Sequence, residues 1–134
     1  MGRLQGHSTS HISAVCQQAA IAALQHRELV KPLVEVFARR RERVLRRLEA
    51  LPGLSALTPE GTFYLFLDCR ELLGGSGPKQ DATSLATWLL EEKFLGLVPG
   101  DAFGAPGHIR MSFAASDEVL DECFDRLASA VETL

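Results

Sequence analysis

"FLGLVPGDAFGAPGHIRMSFA", residues 94–114, decides how this chain is read. Four glycines and two prolines interrupt a short apolar segment, and a strand-like run then resumes with Arg110 at its centre. A strand that only packed a core would need neither feature. Two-residue periodicity places Ile109, Met111 and Phe113 on one face of the run, with His108, Arg110 and Ser112 on the other. Glycines let a backbone approach a ligand closely. A guanidinium behind such a loop can grip a planar carboxylate through two parallel hydrogen bonds, each worth about 1.5–3 kcal/mol. Arginine is also mostly a surface residue, so a plain exposed position is the alternative.

Working outward, Pro52-Gly53 ends a helical pattern in which Leu33, Val36, Phe37, Val44, Leu48 and Leu51 recur at helical spacing. That helix begins at Lys31-Pro32, since proline is tolerated in a first turn and not inside a helix. Its other face carries Arg39, Arg40, Arg41, Arg43, Arg46 and Arg47, the pattern of a solvated helix face. Before it, residues 12–24 suit a compact helix with Ser10 or Ser13 near the start. After it, residues 54–57 and 62–68 read as strands joined by "TPEG", and "TFYLFLD" is apolar enough for burial on both faces or nearly so.

"GGSGPKQ" is a surface loop too short to separate domains. A helix starts near Asp81, residues 95–98 form a short strand, and the focal loop leads into a strand over 108–114. Ser116 caps a last helix on which Leu120, Phe124, Leu127, Val131 and Leu134 share a face. Helices and strands mix without strict alternation. The expected class is α+β, helices packed on a small sheet, in one domain spanning residues 1–134.

The 134 residues are 46% hydrophobic and 23% charged, as in a soluble globular domain. No apolar run is long enough to span a bilayer, and the first residues have no signal-peptide pattern. A net charge of −3 gives no general affinity for nucleic acid. Cys16, Cys69 and Cys123 are odd in number and far apart, which favours a reduced, cytoplasmic setting over a disulfide framework. His7 and His11 have a helical metal spacing, but Cys16 is out of phase and "STS" favours a loop or cap. No cysteine is paired with a base, and no phosphate-cradling or dinucleotide-binding glycine motif is present. From the residues alone, an enzyme and a binding module are both open.

Five stretches carry a family resemblance in order and spacing: "LQGHSTSHISAVCQQAAIAAL", "FARRRERVLRRLEALPGL", "PEGTFYLFLD", "LLEEKFLGLVPGDAFGAPGHIRMSFAAS" and the final amphipathic helix. Together they resemble the C-terminal, small-domain part of fold type I, class I/II pyridoxal-phosphate-dependent aminotransferases of the aspartate aminotransferase-like group. The resemblance implies a transaminase that exchanges an amino group between an α-amino acid and a 2-oxo acid in a cytoplasmic homodimer. It implies that Arg110 binds the substrate α-carboxylate, that Phe63 lines the substrate pocket, and that Ser10 reaches the partner subunit's site. The α+β fold would then have a small, mostly antiparallel sheet, and residues 1–30 would lie near the large domain or the second subunit. His11 stands where the family usually has asparagine.

The resemblance also exposes an absence. The family uses a lysine in an "S-x-x-K" setting to form its Schiff base and shuttle a proton. None of Lys31, Lys79 and Lys93 has that setting. Pyridoxal 5'-phosphate would be held mainly by a large domain not represented here, Met1 would be internal to a longer protein, and the chain alone would be inactive. The alternatives are a fold type I lyase or synthase fragment, or a non-catalytic interaction module on the same scaffold.

Overall fold

The computed structural model describes Gly6 and residues 11–134. The chain divides into two units, Met1–Glu35 and Val36–Leu134. In the first, helix α1 covers Ala14–Gln25 and is capped by Ser13, whose side chain accepts from the Cys16 backbone N–H. None of its residues is buried. A 3-10 turn follows at Arg27–Val30. Helix α2, Lys31–Leu48, then gives the five turns that the proline entry and apolar spacing predict. Ser10 and His7 lie outside the described residues.

The second unit is built on four strands: β1 (Ser55–Ala56), β2 (Tyr64–Asp68), β3 (Val98–Pro99) and β4 (His108–Ser112). Their order is β1-β2-β4-β3 and every pairing is antiparallel. Helices α3 (Ala82–Lys93) and α4 (Asp117–Thr133) complete it. Asp81 caps α3 and Ser116 caps α4, each accepting a backbone N–H in the first turn. The α+β class expected from the sequence is what the chain adopts.

One face of the sheet makes the core. Leu65 and Leu67 of β2 and Ile109 and Met111 of β4 are paired across the strands, and Phe113 continues the row. Val44 and Leu48 of α2, Leu85 and Leu89 of α3, and Leu120, Phe124 and Leu127 of α4 close over them. Full burial of such side chains contributes roughly 1.5–3 kcal/mol each. Ala130, not Val131, takes the next buried position on α4.

Three expectations need correction. β2 is buried on one face only: Tyr64, Phe66 and Asp68 alternate with the core leucines and stay partly exposed. The third strand is displaced to Val98–Pro99, because residues 95–97 leave α3 through Phe94 in a left-handed conformation and the ladder begins only with Val98 opposite Arg110. The arginine face of α2 is not merely solvated. Arg40 pairs with Asp117, Arg43 with Asp121 and Arg47 with Asp125. These pairs climb both helices in the same direction, so α2 and α4 run parallel with their register set by charge as well as packing. Arg43 and Asp121 hydrogen-bond through two atoms each, which holds the Asp121 carboxyl below its usual range.

Candidate functional site

The other face of the sheet carries the polar and aromatic residues. Antiparallel register sets Tyr64 opposite Ser112, Phe66 opposite Arg110 and Asp68 opposite His108. Tyr64, Phe66, Asp68, His108 and Arg110, with Arg70 and residues 55–59, 61 and 62, line a groove of about 610 Å³. The rim is tied down from α2, where Arg41 donates to the Pro59 carbonyl at 3.0 Å. Thr62, also on the rim, has φ 64°. For a β-branched residue that is a strained backbone, of the kind that recurs at binding sites.

Arg110 points into this groove without a carboxylate partner among the described residues, and its side chain makes no hydrogen bond there. Two rings flank it instead. Its guanidinium carbon is 4.4 Å from the centre of the Tyr64 ring and 4.5 Å from that of Phe103. Phe103 reaches it from a 3-10 turn, Gly100–Phe103, inside the glycine-rich loop. That loop answers to two glycines in particular. A Cβ at Gly100 would meet the Ala105 and His108 carbonyl oxygens at 2.3 and 2.7 Å, and Gly104 ends the turn at φ 71°.

Asp68 forms the charged end of the groove. Arg70 donates to both its carboxylate oxygens, and the His108 Nε2 lies 4.0 Å away. The hydrogen bond from Arg70 is the main cause that lowers the Asp68 carboxyl to about 2. His108 is stacked on Phe66, ring centres 5.2 Å apart, and its Nδ1 is 3.1 Å from the Pro106 carbonyl oxygen. Cys69 turns to the other side, where burial pushes its thiol up to about 11 and its Sγ donates to the Gly107 carbonyl. It is no nucleophile at neutral pH.

Phe63 and Arg110 are not brought together. Phe63 is on the core-side parity of β2, 40% exposed, with its ring 6.1 Å from Phe37 and 4.4 Å from Tyr64. Tyr64 is close to both Phe63 and Arg110. The residues that do surround Arg110, Tyr64 and Phe103, carry no motif of their own. Tyr64 could be found by combining strand parity with register, whereas the position of Phe103 depends on the path of the loop. No group of His, Cys, Asp and Glu able to hold a metal exists among the described residues.

A sequence profile described as aminotransferase class I and II matches residues 1–127. The chain belongs to that aminotransferase family. It is 37% identical to the aspartate aminotransferase of Rhizobium meliloti strain 1021 over 100% of this chain and 34% of that protein. It is likewise 37% identical to the aspartate aminotransferase of Bacillus subtilis strain 168, over 98% and 34%. The crystal structure of the Rhizobium meliloti aspartate aminotransferase superposes with a TM-score of 0.88 at 36% identity, over 96% of this chain and 34% of that one. The aspartate aminotransferase structure from Thermotoga maritima gives 0.82 at 38% identity, over 97% and 32%. The chain thus spans about a third of the length of the aminotransferases it matches.

Membership implies a pyridoxal-phosphate-binding fold, and the residues present here do not fit the cofactor's reactive end. Lys31 begins α2 and Lys79 lies in a 3-10 turn. Lys93 ends α3 with its ammonium 5.5 Å from the Trp88 ring centre and 3.4 Å from the Ser129 and Thr133 hydroxyls. None of the three lines the groove. No helix among the described residues is long and apolar enough to cross a membrane.

Proposed function

We propose that this chain is the substrate-carboxylate half of a transaminase that moves an amino group between an α-amino acid and a 2-oxo acid. The observation that carries the reading is Arg110: a guanidinium on the open face of the sheet, flanked by rings and engaged by no carboxylate of its own among the described residues. A group in that state binds a planar carboxylate through its edge, by two charge-assisted hydrogen bonds. Fixing that end of the substrate restricts the rotation of the remainder, which is the orientation a transamination site requires. The resemblance of "VPGDAFGAPGHIRMSFA" to the family's carboxylate-binding segment supports the same role.

The Schiff-base lysine and the cofactor contacts belong to residues other than these, and the chain by itself does not transaminate. Phe63 contributes by backing Tyr64. Ser10 serves the partner subunit's site of a cytoplasmic homodimer. Residues 1–30 form its boundary with the large domain or second subunit, a role supported by the exposure of Ile12, Val15, Leu24 and Leu29.

The test is to read the coding frame upstream of Met1 and express the whole of it. A lysine in an "S-x-x-K" setting is expected in frame, with transamination of L-aspartate and 2-oxoglutarate. Arg110→Lys should then raise the amino acid KM by at least about tenfold, from the loss of the bidentate geometry. A stop codon directly before Met1, or an unchanged KM in the variant, overturns the reading. In the first case a non-catalytic interaction module is the reading that remains.

A further inference from the structure

Tyr64 and Phe103 come from elements far apart in sequence, a central strand and a glycine-rich loop, yet both place a ring within 4.5 Å of the Arg110 guanidinium carbon. Cation–π attraction holds the guanidinium against both rings. Neither ring replaces a carboxylate as acceptor, so the N–H donors are left for a ligand. Phe103 is itself braced: the Phe66 ring meets it edge-on at 6.3 Å, and His108 is stacked on Phe66 at 5.2 Å. The other arginines of this unit with charged partners are used differently. Arg40, Arg43, Arg47, Arg70 and Arg126 are each paired with a carboxylate.

We propose that Tyr64 and Phe103 are positioning residues, a two-ring clamp that presents the edge of Arg110 and thereby sets its affinity for a carboxylate. The proposal rests on the reading of Arg110 as a carboxylate ligand. An arginine side chain free to rotate must be ordered by its ligand, and that ordering weakens binding. The clamp performs the ordering beforehand. It also sets rings beside the cation where the paired arginines have a carboxylate, so that no acidic side chain among the described residues neutralises it in advance.

The probe is succinate, titrated into the 134-residue chain carrying 15N-labelled arginine, with the Arg110 Nε–H resonance followed by NMR and assigned by its loss in Arg110→Lys. In the wild type that resonance should be displaced upfield by the two rings and should shift saturably with succinate. Tyr64→Leu and Phe103→Leu should each reduce the upfield displacement and weaken succinate binding by about three- to tenfold. Tyr64→Phe and Phe103→Tyr keep a ring and should retain both properties, which a merely structural role does not require. Dispersed core methyl signals in all four variants establish that they are folded. Leucine variants that bind as tightly as the wild type overturn the clamp while leaving the carboxylate reading intact. A wild type that does not bind succinate overturns both.

Discussion

Arg110 and Phe66 are directly opposed across β4 and β2, on the face of the sheet turned away from the core. Their neighbours on the other parity, Ile109 and Leu67, are also opposed and are both buried. One register therefore builds two surfaces, an apolar one under the helices and a cationic, aromatic one along the groove. A slip of one residue would exchange them.

Because Arg110 has no carboxylate partner among the described residues, its replacement should separate binding from stability. Arg110→Lys keeps the charge and loses the planar fork. We expect urea unfolding to change by less than about 1 kcal/mol, the scale of a lost exposed cation–π contact. Succinate binding should fall at least tenfold, as read by titration.

The core side has the opposite sensitivity. Phe124 is 1% exposed and lies in the cluster between α4 and the sheet. Phe124→Ala should cost about 3–5 kcal/mol in urea unfolding, through lost burial and the cavity left behind.

Asp68 gives a pH signature. Its carboxyl is held at about 2, against an ordinary 3.8, chiefly by the hydrogen bond from Arg70. A carboxyl with a depressed folded-state value contributes stability that is fully present above the unfolded value and is lost as pH falls through the folded one. Wild type should therefore exceed Asp68→Asn in thermal midpoint at pH 7, and the difference should shrink as pH falls from about 4 through about 2. A difference as large at pH 2 as at pH 7 contradicts the assignment.

The loop has its own weak point. Gly100→Ala would drive a Cβ against two backbone oxygens, those of Ala105 and His108. Overpacking of this kind costs about 1–3 kcal/mol. Since the same turn carries Phe103, the Arg110 Nε–H resonance should move toward its solvent-exposed position in this variant, and succinate binding should weaken with it.

Much of this architecture is legible in the sequence because local chemistry and burial agree. Lys31-Pro32 opens α2, Asp81 and Ser116 cap α3 and α4, and the parity of residues 108–113 separates Arg110 from the core row. Features set by long-range geometry are not legible. The arginines of α2 carry no mark that Asp117, Asp121 and Asp125 will face them. "TFYLFLD" is apolar on both parities, yet only Leu65 and Leu67 are fully buried, and Tyr64, Phe66 and Asp68 face the groove. Phe103 depends on the turn that Gly100 and Gly104 permit, and local propensity does not say where its ring will go.

Carboxylate binding at Arg110 is read directly from a residue-by-residue NMR map of the labelled chain with and without succinate. Perturbations are expected to centre on Arg110, Tyr64, Phe103 and His108 and to disappear in Arg110→Lys. Perturbations centred on Arg70, or a map unchanged by that substitution, would contradict it.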